Sequence, residues 1–165
     1  MSRMPVELID IGPLDRRRRC ECCQFPTLIV PDKYEPNPWW DSTPTSCPLC
    51  EWDSQPLDVD GELRAAGESD EDRNDGLSLE AARHNFARFL SIYDPGAPPI
   101  WKPTPTSPDV VERRGALRSA YSRLSGRDAP DAIERWQEVL VCEQALALAL
   151  AAQQAADQAL DEDAN

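Results

Sequence analysis

Two short cysteine clusters, Cys20-Glu21-Cys22-Cys23 and Cys47-Pro48-Leu49-Cys50, stand in the first third of this 165-residue chain. Each contains two cysteines separated by two residues, a spacing that places both sulfurs on one side of a tight turn. Zinc favours four ligands in a tetrahedron and binds thiolates at about 2.3 Å. The sequence therefore predicts one structural zinc ion, bound by Cys20, Cys23, Cys47 and Cys50.

Two cysteines remain outside this set, and the four-thiol interpretation itself has alternatives. Adjacent cysteines rarely bind the same zinc, so Cys22 is expected to pack beside the site rather than in it. A redox role for Cys22 is less favoured, because the strand-then-helix context of a thioredoxin-like site does not follow it. Cys142 lies on an apolar helical stripe and is expected in a core. The alternatives to zinc are thiols without a metal or a redox pair.

The charge of the chain is strongly negative, with 30 acidic and 17 basic side chains and a net charge of −13. A nucleic-acid binder needs a basic surface, so the composition argues against a protein that grips phosphate. The segment Glu51–Asp75 alone carries ten acids and two arginines. Either it is a solvated acidic loop, or Asp70, Glu71 and Asp72 belong to a patch that attracts a basic protein partner. It lacks the spacing of a calcium loop.

One basic run departs from this balance. Arg16–Arg19 directly precedes the first cysteine cluster. Such a run is compatible with a nucleic-acid contact, so a nucleic-acid-associated zinc ribbon is the alternative function. In so acidic a chain, we favour pairing of these arginines with the acidic loop of the same fold.

Two other features are candidates for function. Trp39 and Trp40 stand in a proline-rich loop, residues 34–44, where they either cover the metal site or anchor a protein interface. Trp52 follows its cysteine pair so closely that it is expected to pack. His84, the only histidine, has no nucleophile in its context and is expected at the surface, so no catalytic residue is predicted.

Three helices are predicted in the second half of the chain. The first begins at the N-cap Ser78, ends at Asp94-Pro95-Gly96 and carries one apolar stripe. The second begins with Ser107-Pro108, a cap and an N1 proline. The third begins with Asp131 and Glu134, which resemble a capping box. Their apolar stripes comprise Leu79, Ala82, Phe86, Phe89 and Tyr93; Val110, Leu117, Tyr121 and Leu124; and Trp136, Val139, Cys142, Leu146 and Leu150.

The organisation predicted from these features has three parts. Residues 1–94 form a cysteine-rich zinc-binding domain, residues 95–108 a linker that contains six prolines, and residues 109–165 a two-helix extension. A hairpin of two helices cannot bury both of its faces, so it is expected to dock on the first domain, a second copy or a partner. The longest uncharged run there, Gln144–Ala156, is too short for a membrane span.

Three segments together resemble the bacterial cysteine-rich CPCC domain family: Cys20–Phe25, Ser46–Asp53 and Asn74–Phe86. The last contains the helix pattern Ser-Leu-x-x-Ala-Arg-x-Asn-Phe. The resemblance covers about residues 20–94. The chain departs from the family at Glu21, where proline is usual, at Gln24, where glycine is usual, and in a longer stretch between the cysteine pairs.

The resemblance implies a small zinc-ribbon-like module without an established enzymatic activity, and members are similar to some immunity proteins encoded beside bacterial toxins. The fold expected is therefore α+β: short strands and one helix around the zinc, then a helical hairpin. The function expected is a non-enzymatic inhibitor that covers the basic active site of a toxin. The beginning of the chain shows no secretory signal, so we expect a cytoplasmic location, where thiols stay reduced.

Overall fold

The computed structural model describes residues 8–10, 16–30, 46–55, 69–101, 106–124, 126 and 129–164. The chain separates into two compact units, which divide between Ile92 and Tyr93, and we call them unit 1 and unit 2. Strands and helices are combined in the α+β mix that the sequence predicts. Trp39 and Trp40 lie outside the described residues.

Unit 1 contains a three-stranded antiparallel sheet in the order β1-β2-β3, formed by Leu8–Asp10, Arg16–Arg18 and Leu28–Val30. Arg17 at the centre of β2 pairs with Ile9 on one side and with Ile29 on the other. The apolar run before residue 31 predicts β3. The sequence does not predict β2. Arginine favours strands only where the context accommodates its long side chain, and that context is not visible in the local sequence.

Two helices follow in unit 1. α1 is a single turn, Asp70–Arg73, in a segment that the sequence predicts as an acidic loop. α2, Leu79–Phe89, begins at the predicted N-cap Ser78, whose side chain accepts from the Ala81 N–H. It ends before the predicted Asp94, because Leu90 adopts a left-handed conformation with φ 56°. Residues 91 and 92 then turn toward the second cysteine pair.

Unit 2 is a helical hairpin of α3, Pro108–Ser122, and α4, Ala132–Asp163. The predicted cap Ser107 accepts from the Val110 N–H, and Val110, Leu117 and Tyr121 are buried as the apolar stripe predicts. The predicted capping box of α4 is wrong: the Asp131 side chain makes no cap hydrogen bond. Its carboxylate instead accepts from Arg135 Nε at 3.0 Å, one turn later.

α4 is the last helix that the sequence predicts, 32 residues long, but it is more apolar than expected from the sequence. Among the described residues, α4 is the one helix whose length and apolar composition would allow it to cross a membrane. Such a helix is weak evidence for a span, since helices of water-soluble proteins pass the same test. It contacts α3 along one side, and Val139, Leu146 and Ala149 are buried there.

Candidate metal centre

The predicted ligand set comes together in unit 1. The sulfur atoms of Cys20, Cys23, Cys47 and Cys50 all lie within 4.8 Å of one another. The Cys20 and Cys50 sulfurs are 3.6 Å apart, and those of Cys23 and Cys47 are 3.8 Å apart. A tetrahedron with metal–sulfur bonds of about 2.3 Å has edges of about 3.8 Å. The distances are much too long for disulfides, and the four thiols are close enough to hold a metal ion.

The two cysteine pairs occupy turns of the same geometry. The Gln24 N–H donates to the Cys20 carbonyl, and the Glu51 N–H donates to the Cys47 carbonyl, both at 2.9 Å. Gln24 and Glu51 each follow the second cysteine of a pair and have φ of 65° and 73°, in the left-handed region. The absence of glycine at Gln24, a departure from the CPCC pattern, therefore leaves the turn intact.

The cluster is buried, and this governs its acid–base chemistry. Burial raises the pKa of the Cys47 thiol, but hydrogen bonds with Cys20, Cys23, Cys50 and Thr27 bring that pKa well below its usual range. Hydrogen bonds with neighbouring thiols raise the pKa of Cys23 and of Cys50. The shifts run in opposite directions because the thiols hydrogen-bond to one another. A divalent cation would favour thiolates at the site, because its charge stabilises negative charge on the neighbouring sulfurs.

Thr27 and Trp52, which are not cysteines, also contact the ligand sulfurs. The Thr27 hydroxyl lies 3.1 Å from the Cys47 sulfur, and the Trp52 N–H donates to the Cys50 sulfur at 3.4 Å. Hydrogen bonds of this kind stabilise negative charge on sulfur and orient it toward a metal. Thr27 has no recognisable motif in the sequence, since its role depends on the approach of β3 to the second cysteine pair.

α2 and the turn after it fix both cysteine pairs. Arg83 donates through Nε and Nη2 to the Glu21 carbonyl at 3.2 and 2.7 Å. The Ile92 N–H donates to the Cys50 carbonyl at 2.9 Å, and Asn85 donates to the Ile92 carbonyl at 2.8 Å. Arg83 and Asn85 belong to the helix pattern on which the CPCC resemblance rests. Both lie between buried Ala82 and Phe86, and no spacing rule identifies their role from the sequence.

Asn74 connects α1 to the segment after the second cysteine pair. It is almost fully buried, and its Oδ1 accepts from the Asp53 N–H at 2.7 Å. Its Nδ2 donates to the carbonyls of Asp53 and Asp70, both at 3.0 Å. One side chain thus satisfies three backbone groups on two segments. The sequence predicts no such role for Asn74, although the residue stands in the motif Asn74–Phe86.

Of the remaining aromatic and titratable candidates, Trp52, Cys22 and His84 lie where the sequence predicts them. Trp52 is fully buried and donates from Nε1 to Glu21 at 3.1 Å, which confirms its packing role. Cys22 is buried beside the four thiols, and a hydrogen bond with Cys50 lowers its pKa. His84 is exposed on α2. Cys142 is only partly buried, so the prediction that it lies in a core is wrong; such burial as it has raises its pKa.

The three acidic candidates for partner binding lie in α1. Asp70 pairs with Arg73 at 2.5 Å, and Asp72 forms a capping box with Ser69. Glu71 is exposed. Two of the three carboxylates therefore take part in stabilising the helix, and Glu71 is the member of the set best placed to meet another molecule.

The arginine run is partly internal. Arg17 and Arg18 are buried, and they donate to the carbonyls of Pro26 at 3.4 Å and Gln55 at 2.7 Å. Arg19 is exposed and donates to the Gln24 carbonyl at 2.8 Å. These three acceptors are backbone carbonyls, although Arg18 also lies near the carboxylates of Glu21 and Asp53. Arg17 and Arg18 therefore serve the interior of unit 1, which weakens the case for a nucleic-acid contact.

Comparisons with models of protein families, with curated proteins and with solved structures find no match for this chain. Its function is therefore inferred from the chemistry of its own residues.

Proposed function

We propose that this chain is a non-enzymatic, zinc-stabilised protein-binding protein of the CPCC type. The observation that supports it is the closed set of four thiols at Cys20, Cys23, Cys47 and Cys50. Each sulfur comes from a backbone turn, and the two turns are hydrogen-bonded to α2 and its C-terminal turn. Such a site stabilises a fold, because the free energy of metal binding becomes folding free energy.

Zinc is the metal that we propose. Four sulfurs in a tetrahedron suit zinc or iron, and zinc meets a structural requirement without redox chemistry. Four cysteine ligands also leave no open position for water or a substrate, whereas catalytic zinc sites keep one. This chemistry is the reason for proposing a protein without enzymatic activity. Reduced thiols at the site fit a cytoplasmic location.

The partner that we propose is a basic protein, specifically a bacterial toxin whose active site this chain occludes. The support is electrostatic: ten acids and two arginines between Glu51 and Asp75 favour encounter with a positive surface. An active site that grips phosphate is such a surface. Glu71, Trp39 and Trp40 are the contact residues that we would test first, with zinc holding the scaffold.

The zinc proposal is tested on the full chain, purified under reducing conditions. We expect one zinc per chain by elemental analysis, and no iron. Cys47→Ser should lose the zinc and most of the tertiary structure of unit 1. Cys142→Ser is the matched control, since this partly buried thiol lies in unit 2, and it should retain zinc and stability. Wild-type protein without metal, or with stoichiometric iron, would contradict the proposal.

The partner proposal is tested by co-expression with the product of the adjacent gene, followed by pull-down. We expect a basic protein to co-purify, with an affinity that falls as salt rises. Glu71→Lys should slow association roughly tenfold at low salt, whereas reversal of the exposed Glu112 on α3 should have little effect. The proposal fails if the neighbouring gene encodes no toxin and nothing basic co-purifies with the zinc-loaded chain.

A further inference from the structure

α4 carries a continuous uncharged stripe on its exposed side. Ile133, Val141 and Leu148 are exposed by 74%, 67% and 67%, unusual values for large apolar side chains on one helix. Other exposed, uncharged residues lie between and after these three. Together they form a series with steps of three or four residues, so all of them share one helical face. We call this face the outer stripe; it consists of Ile133, Gln137, Val141, Gln144, Leu148, Ala152, Ala155 and Ala159, all exposed.

α3 cannot cover this stripe, because it occupies the other side of α4. Val139 and Leu146 are buried in the hairpin, and each lies two residues, or about 200°, from a member of the outer stripe. Polar contacts mark the same inner side. Tyr121 donates to Glu143, and Gln153 accepts from the Ser107 N–H at 3.0 Å. The outer stripe is about 40 Å long at 1.5 Å per residue.

The order of side-chain sizes along the stripe makes it complementary to itself in one direction. The large apolar members, Ile133, Val141 and Leu148, come first, and the alanines follow. An antiparallel copy centred near residue 146 would place Ile133 opposite Ala159, and Gln144 opposite Leu148. Large residues would then face small ones at the ends of the pairing, the arrangement that packs most densely. A parallel copy would instead set large against large and leave gaps between alanines.

Charge favours the same direction. Asp157, Asp161, Glu162 and Asp163 make the end of α4 acidic, whereas three arginines and four acids nearly balance each other between Arg123 and Glu138, around the start of the helix. An antiparallel pair keeps the two acidic ends apart, each beside the nearly balanced start of its partner's α4, whereas a parallel pair would align acids with acids. The same acidic end is unfavourable at an anionic membrane surface, which selects basic amphipathic helices.

We propose that the outer stripe pairs with its counterpart on a second copy of this chain. The two α4 helices run antiparallel at the centre of a symmetric dimer, and each α3 lies on the outside. This interface is isologous, since every contact occurs twice about the two-fold axis. It does not depend on the zinc or on the toxin partner.

Sedimentation equilibrium of the full chain provides the first test. We expect a mass of twice 18.4 kDa. The double substitution Val141→Glu with Leu148→Glu should yield a monomer with unchanged helical circular dichroism. Val111→Glu is the matched control, because Val111 is exposed by 49% on α3, outside the stripe, and it should leave the dimer intact. A wild-type monomer at all concentrations would overturn the proposal.

Disulfide mapping tests the direction of pairing. In a Cys142→Ser background, mixed Ile133→Cys and Ala159→Cys chains should form a crosslink between the two different sites. Crosslinks of Ile133→Cys to itself would overturn the antiparallel arrangement. Flotation with neutral phosphatidylcholine vesicles covers the membrane alternative: vesicle binding that Val141→Glu abolishes, in a chain that stays monomeric without lipid, would replace the dimer with a lipid surface.

Discussion

Gln24 and Glu51 adopt equivalent left-handed conformations, one after each cysteine pair. A residue with a Cβ is strained there by about 1–2 kcal/mol, and glycine relieves the strain at the cost of some chain entropy. The CPCC pattern that the sequence resembles has glycine at the first position. The conformation is retained here because the hydrogen bonds of the turn, and a metal when bound, stabilise it by more than the strain costs.

Gln24→Gly is therefore expected to stabilise the zinc-loaded protein by about 0.5–1 kcal/mol in denaturant unfolding. The exposed hydrogen bond from Gln24 Nε2 to the Glu21 carbonyl is lost, but water replaces it. Glu51→Gly should gain less, because Glu51 also accepts from the Ser91 hydroxyl at 2.7 Å. A loss of stability in Gln24→Gly would show that the turn does not carry this strain.

Asn74 is expected to be the most sensitive polar residue near the metal centre. Asn74→Ala removes the partner of the Asp53 N–H and carbonyl in a partly buried place, which should cost about 2–3 kcal/mol in unfolding free energy. Asn85→Ala is the comparison, since it removes one hydrogen bond from a half-buried side chain, and about 1 kcal/mol is expected. Equal losses in the two variants would contradict this ranking.

At the scale of elements, the two hairpin helices begin in different ways. Ser107→Ala removes a cap that accepts from the Val110 N–H, so about 1 kcal/mol should be lost from the stability of unit 2. Asp131→Ala removes no cap bond but does remove the exposed ion pair with Arg135, and should cost at most about 0.5 kcal/mol. Thermal unfolding followed by far-ultraviolet circular dichroism measures both. A larger loss in Asp131→Ala would mean that its carboxylate caps α4 in solution.

The same elements show what the sequence can predict. Ser78 and Ser107 are followed by helices because their capping chemistry is local. The same rule predicts that Asp131 caps α4, and this prediction is wrong because Arg135 binds the Asp131 carboxylate. The end of α2 at Leu90 is not local at all, since it depends on Ile92 reaching the Cys50 carbonyl. Short-range signals thus predict where helices start, and tertiary contacts decide where some of them stop.

The candidate site follows a similar division. Cysteine spacing predicts the four ligands, since the chemistry of the thiol and the tight turn are both local. The contacts of Asn74, Arg83 and Thr27 with the site join segments that are far apart along the chain. No spacing rule identifies such residues. The burial of Arg17 in β2 is of the same kind, because charge alone suggests an exposed position.

At the scale of the whole molecule, the two units are expected to draw their stability from different interactions. Unit 1 has short strands, two short helices and a buried cluster of thiols, so much of its stability is expected to come from metal binding. Unit 2 is a hairpin with one internal interface and an exposed outer stripe. Its stability should therefore depend on protein concentration if the proposed dimer forms, because association stabilises only the folded state.

Removing the metal is expected to separate these contributions. α3 and α4 contain 15 and 32 residues, and α1 and α2 contain 4 and 11, so about three quarters of the described helical residues should survive chelation. Treatment with a strong zinc chelator under reducing conditions should abolish the near-ultraviolet signal of buried Trp52 and leave most of the far-ultraviolet helical signal. The residual helix should melt at a temperature that rises with protein concentration in wild type. In the Val141→Glu, Leu148→Glu variant it should not. Complete loss of helix in one step would mean that the zinc also supports the hairpin.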